Sequence, residues 1–180
     1  TPVSIAWNER SSIDPSVFDH SVDSVHQLTV LEDGDYIVAA TMPVISIDTI
    51  DNRPSQGMEI YLNGEPVPGS IGQSGYLRNQ PRNTLMHQET SNHAHLLLKG
   101  LSAGDVIEVR AYKTAQEAAE TQIQTASLFV EKAEATRTVF SALSDDSLDG
   151  VNLNPDFEGA GEDPVELPWA SNRKDSGFTH

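Results

Sequence analysis

The sequence predicts an all-β sandwich on three observations. Short apolar runs of strand length recur from His26 to Lys132 with turn formers between them. Within several of these runs apolar and polar residues alternate with a period of two, the spacing that sets one face of a strand against a core. The helix-friendly residues Ala115–Thr121 lack an apolar stripe and read as a single turn or a loop.

Taken in order, Val25–Glu32 and Asp35–Val44 flank Asp33-Gly34, the turn chemistry of a tight hairpin. Met58, Ile60 and Leu62 share one face of the next strand, with Glu59, Tyr61 and Asn63 on the other. Asn63-Gly64 comes next as a second hairpin signal, and a Pro/Gly-rich stretch surrounds Pro66, Pro68 and Gly69. His93–Lys99, Asp105–Lys113 and Gln122–Lys132 complete the series, with Gly100 and Ala103-Gly104-Asp105 supplying turns. In Asp105–Lys113, Ile107, Val109 and Ala111 point one way while Glu108 and Arg110 point the other.

The 180 residues suffice for one domain with its own core. Eleven Lys and Arg stand against 27 Asp and Glu, a net charge of −16 that repels phosphate backbones and anionic headgroups. Nucleic acid and membrane insertion are therefore not expected, and no apolar run approaches the roughly 20 residues that span a bilayer. With no Cys, the chain has no disulfide framework, thiolate metal site or cysteine nucleophile. These features suit a secreted or cell-surface protein.

From Ser144 to Glu166 the character changes to eight acids, no Lys or Arg, and the turn formers Gly150, Pro155, Gly159, Gly161 and Pro164. That composition predicts an extended acidic arm. Beyond it the start of the chain returns. Pro2-Val3-Ser4-Ile5-Ala6-Trp7 is echoed by Pro164-Val165-Glu166-Leu167-Pro168-Trp169, and these are the only two tryptophans. Arg10, Asp14, Phe18 and His20 are then matched in order by Arg173, Asp175, Phe178 and His180. The echo predicts a domain over 1–143, an acidic linker over 144–163, and over 164–180 the start of a following repeat or a donated strand. Chance agreement between two loop-flanked aromatic segments is the alternative.

Gly34-Asp35-Tyr36-Ile37-Val38, Tyr61-Leu62-Asn63-Gly64, Leu98-Lys99-Gly100-Leu101-Ser102-Ala103-Gly104-Asp105-Val106 and Ser127-Leu128-Phe129-Val130 succeed one another along the chain. Over roughly residues 1 to 135 the sequence thereby resembles C1q/TNF-like jelly-roll domains. Those carry a Gly-x-Tyr strand, a Leu-Asn-Gly hairpin, a Leu-x-x-Gly-Asp-x-Val turn and a closing aromatic strand. Asp175–His180 and Gly75-Tyr76-Leu77-Arg78-Asn79 are similar to C1q-like units found in large exported bacterial proteins. The resemblance implies a C1q/TNF-like jelly-roll sandwich of about ten antiparallel strands, frequent trimerisation, and binding or scaffolding outside the cell. It brings no catalytic residues with it.

Three constellations are candidates for chemistry or contact. Asp145, Asp146, Asp149, Asn152, Asn154 and Asp156 set oxygen ligands around Gly150, as a calcium loop requires, although the spacing matches no EF-hand. A solvated acidic linker is the alternative to calcium. His93 and His95 share one strand face, with His87 and Glu89 upstream, in the manner of a cupin metal site. Lys99 stands where a cupin carboxylate would come, so two exposed strand histidines are the plainer reading. Trp7, Phe18, Trp169 and Phe178 are the aromatic anchors expected to lock one unit onto the next, each stabilising by roughly 1.5–3 kcal/mol when fully buried, with an aromatic ligand platform as the alternative.

No Gly-x-Ser-x-Gly elbow, Gly-rich phosphate loop or His-Glu-x-x-His helix occurs. The expectation is a non-enzymatic extracellular module whose copies join through their terminal strands into a fibre, stalk or surface array. The alternatives are an adhesion module for glycan or a cell-surface protein, with specificity in Ser46–Gln56 and Ser70–Asn92, and a remote cupin-like metal-dependent enzyme.

Overall fold

Alternation writes the longest strand. Along β4 (Gly34–Ser46), Tyr36, Val38, Ala40, Met42, Val44 and Ser46 are buried while the residues between them are only partly covered. In the computed structural model, which describes residues 1–47, 53–73, 75, 77, 88–115, 120–133, 140–144 and 169–174, this strand forms the middle of one sheet. Its antiparallel partner β8 (Glu89–Leu101) runs beside it from Gly34↔Leu101 to Ile45↔Glu89. Along the opposite edge lie β10 (Thr121–Ile123) and β11 (Ser127–Lys132), end to end. The predicted strand Gln122–Lys132 is thus two strands, broken where Gln124 donates its N–H to the Pro43 carbonyl at 2.9 Å.

The second sheet is built on β9 (Val106–Ala115). On one side β9 pairs with β5 (Ser55–Leu62), and on the other with β3 (Leu28–Val30) and β1 (Val3–Ser4). Around these sit β2 (Phe18–Asp19) on β3, and β6 (Glu65–Pro66) and β7 (Gly72–Gln73) on β5. All pairings are antiparallel, and no helix occurs among the described residues. The chain changes sheets from β3 to β4, β4 to β5, β7 to β8, β8 to β9 and β9 to β10. That alternation is jelly-roll wiring, as the resemblance implies.

One turn was expected to be a hairpin and is not. Asp33-Gly34 joins β3 to β4, but β3 bonds to β9 and β4 to β8, so the chain crosses between sheets there. Side-chain acceptors hold the crossing. Asp33 Oδ1 accepts the Ala103 N–H and Asp35 Oδ1 the Gly100 N–H, both at 2.8 Å, which ties this crossing to the one between β8 and β9. Asn63-Gly64 is the hairpin its residues predict: Leu62 faces Glu65, and φ is +53° at Asn63 and +86° at Gly64, the paired positive values of a type I′ turn.

Between the sheets Tyr36, Met42, Met58, Ile60, Leu77, Ile107 and Val109 are almost fully buried. Phe18 meets Tyr36 edge to face, centroids 5.8 Å apart at 66°. At one side the sheets close tightly: a Cβ on Gly72 would lie 2.3 Å from the His93 carbonyl oxygen, so only glycine fits. The chain divides into two compact units, Thr1–Ala135 and Thr136–His180. Among the residues whose burial is described, those of the core belong to the first. In the second, β12 (Phe140–Ser144) pairs antiparallel with β13 (Trp169–Lys174).

Candidate functional site

The N-terminal segment is held by few bonds and one deep anchor. Val3 and Ser4 face Ala111 and Arg110 of β9, and Ile5 donates its N–H to the Val109 carbonyl at 2.9 Å. The Ile5 side chain is buried in the core, and Trp7, half-buried, packs against that core. Trp7 donates its backbone N–H to the Val25 carbonyl at 2.7 Å. His20 Nε2 lies 3.0 Å from the same carbonyl, and Arg10 Nη1 reaches the His20 carbonyl at 3.4 Å. Arg10 therefore serves its own unit instead of pairing with Asp14, whose carboxylate accepts the hydroxyl and N–H of Ser16. Those two bonds hold the Asp14 carboxyl below the ordinary aspartate range.

Asn8, Glu9 and Arg10 are exposed, and among the described residues their main-chain groups take no hydrogen bond. In the second unit Trp169 opens β13 opposite Ser144, and Ser171, Asn172, Arg173 and Lys174 face Leu143, Ala142, Ser141 and Phe140.

Opposite the sealed side, the sandwich is open. A cleft of about 330 Å³ lies between the β1 edge of one sheet and the β10 edge of the other. Val3 and Ile123 stand at its rim, 68% and 38% exposed, and the buried Met42 and Val44 line its interior. Gln56 and Lys113 also line it; they are cross-strand partners on β5 and β9, at the inward positions continuing from Met58 and Ala111. Gln56 is 4% exposed, yet neither end of its carboxamide has a hydrogen-bond partner. Ser46 Oγ and both amide atoms of Asn92 are likewise buried without partners, Asn92 facing Met42 across β4 and β8. Such groups cost about 1–3 kcal/mol each, so natural sequences retain few.

No family model and no curated protein matches the chain. Solved structures do. The chain is similar to murine APRIL at pH 8.5, with 12% identity over 71% of this chain and 84% of that one and a TM-score of 0.45. For murine APRIL at pH 5.0 the values are 13%, 73%, 92% and 0.45. For Eiger TNF from S. frugiperda they are 15%, 76%, 88% and 0.42. The likeness is one of fold.

Of the four expected aromatic anchors, Trp7 and Phe18 pack within the sandwich, Trp169 begins β13, and Phe178 lies outside the described residues. The calcium candidates Asp145, Asp146, Asp149, Asn152, Asn154 and Asp156 lie outside them as well. His93 and His95 are exposed on β8, and His93 Nδ1 meets Thr41 Oγ1 at 3.1 Å. His87 falls outside the described residues, and among those described no three His, Cys, Asp or Glu gather as metal ligands.

The sequence places Gln56 only at the end of a candidate specificity segment, Ser46–Gln56, and not at an inward position of a strand, where the structure has it. The signal for that position was a polar residue in phase with Met58 and Ile60, a position alternation reserves for apolar side chains. Sequence reasoning missed the cluster on the outer face of β9. There Glu108, 5% exposed, accepts from Gln27 Nε2 at 2.7 Å and from Arg110, whose Nη2 stands 2.7 Å away. Burial pushes the Glu108 carboxyl up, but the bonds from Gln27 and Arg110 outweigh it and leave the group below its ordinary range. Arg110 also stacks 4.0 Å above the Tyr61 ring.

Proposed function

We propose that this chain is a non-enzymatic structural module of an extracellular array, whose copies join end to end through their terminal strands. The observation that carries the reading is β13. Within the segment that repeats the beginning of the chain, Trp169–Lys174 form a strand paired with β12, in a unit separate from the one that holds the described sandwich core. A repeat placed there reads as the opening of the next copy, held by the closing strand of this one. The net charge of −16 disfavours unspecific association of such modules.

The test is the oligomeric state of the full chain and of a chain ending at Asp163, compared by light scattering over a hundredfold range of concentration. The shortened chain retains every core residue. Removing 164–180 changes association if the ends form the joint; identical behaviour of the two chains counts decisively against it.

The side cleft favours a second reading, binding of a glycan. A buried carboxamide with both ends open complements adjacent hydroxyls, which donate and accept side by side. Titrating free monosaccharides while tracking the Gln56 side-chain amide by NMR checks it. A resonance that no sugar moves removes this reading.

A further inference from the structure

The two tryptophan segments differ in length by one residue, and the pairing of β12 with β13 absorbs that residue. Arg10 stands three positions after Trp7, whereas Arg173 stands four after Trp169. In the second unit Trp169 faces Ser144 and Ser171 faces Leu143, so Ala170 is the extra residue of a β-bulge. With Ala170 set aside, Trp169, Ser171, Asn172 and Arg173 correspond one for one to Trp7, Asn8, Glu9 and Arg10.

We infer that Trp7–Arg10 is the docking edge for residues Ser141–Ser144 of a preceding copy, which add there as an antiparallel strand. The register places Ser144 opposite Trp7, Leu143 opposite Asn8, Ala142 opposite Glu9 and Ser141 opposite Arg10, with no bulge. The inference rests on the end-to-end reading and gives it a residue-level joint. Two features of the receiving edge fit. The Trp7 N–H is taken by Val25 on the sandwich side, and in an extended chain the next N–H turns the opposite way, toward an arriving strand. The main chain of Asn8, Glu9 and Arg10 is exposed and takes no hydrogen bond among the described residues, as an edge awaiting a partner must.

Shortening the chain should therefore act in one direction. In this chain β13 already occupies β12, so removing 164–180 frees β12 and should promote association.

Because the chain has no cysteine, paired substitutions report the register directly. One full-length chain carries Ala142→Cys with Ser171→Pro and Asn172→Pro, the prolines stripping N–H donors from β13 so that β12 is released. The other carries Glu9→Cys. Mixed in a glutathione redox buffer, they should form a 142–9 disulfide at about tenfold the yield obtained when Glu65→Cys, on exposed β6, replaces Glu9→Cys. Equal yields overturn the inference. A single chain with Ala142→Cys and Asn172→Cys should close an internal disulfide, and its failure removes the register from which the joint was read.

The end-to-end reading fails separately. If shortening the chain lowers association instead of raising it, terminal joining stands and this register falls. If shortening has no effect, both fall.

Discussion

Pro2–Trp7 and Pro164–Trp169 are near-copies with different partners. In the first, Val3 and Ser4 lie on β9, Ile5 enters the core, and Trp7 leaves the strand with its N–H bonded to Val25. In the second, Trp169 is where a strand begins, and its partner is β12. The same Trp-centred motif thus ends a strand in one place and starts one in the other. Strand preference is a willingness to lie on a pleated surface, and the neighbouring edge decides which residues do so. The contrast is also one of setting: the first segment places Ile5 in the sandwich core, and Trp169 of the second belongs to the other compact unit.

The sharpest way to break this contrast is to remove the equivalent apolar residue from each segment. Ile5→Ala deletes a buried side chain and should cost about 2–5 kcal/mol in urea unfolding of the sandwich. Leu167→Ala should move the same transition by less than about 0.5 kcal/mol. A comparable loss from both would mean that the second segment also belongs to the core.

Beside the first segment, the cleft gives an effect of opposite sign. Gln56→Leu removes a buried carboxamide without partners and should raise stability by about 1–3 kcal/mol, read as a higher urea midpoint at unchanged slope. Destabilisation would show that the carboxamide is satisfied in solution.

Interchange sharpens the comparison further. Ser4→Glu with Ile5→Leu writes two of the three residues by which the second segment differs into the first. If the two are alternative occupants of one kind of edge, the exchange should cost less than about 1.5 kcal/mol, since Ile and Leu have equal volume and Ser4 is only partly buried. A larger loss in thermal unfolding would limit the likeness to the tryptophan and the residues on its C-terminal side.

The smallest expected effect is acid sensitivity confined to the sandwich. Glu108 lies on β9 beside Arg110, the residue that Ser4 faces, and its carboxyl is held below the ordinary glutamate range. A depressed value in the folded state contributes stability that is complete above the unfolded value and is lost as pH falls through the folded one. Stability should therefore decline below the ordinary glutamate range, and Glu108→Gln should flatten that part of the profile. An unchanged profile would assign the acid sensitivity to other carboxylates.

Much of this was legible because alternation is a local property. Met58 and Ile60, and Ile107 and Val109, announced their inward faces residue by residue. Asn63-Gly64 announced its turn because a type I′ hairpin needs two positive φ values in succession. Asp33-Gly34 carried a similar signal and misled, because turn chemistry specifies that the chain bends and leaves open whether the flanking strands share a sheet. The place of Gln56 in the cleft stayed hidden because Met42 and Val44, which line it too, stand in the other sheet.

By itself the sequence determined the all-β class, the inward faces of Met58–Leu62 and Ile107–Ala111, the acidic balance of charge and the return of the first segment at the end of the chain. Each is written in composition, in a period of two or in direct repetition, and none needs a partner to be read. Only the tertiary structure decided which edges meet: that β1 lies on β9 while Trp169 opens a strand on β12, and that one side of the sandwich is sealed at Gly72 and the other open at Gln56. Backbone hydrogen bonds are alike in every strand, so the choice among edges falls to packing between residues that the sequence keeps far apart.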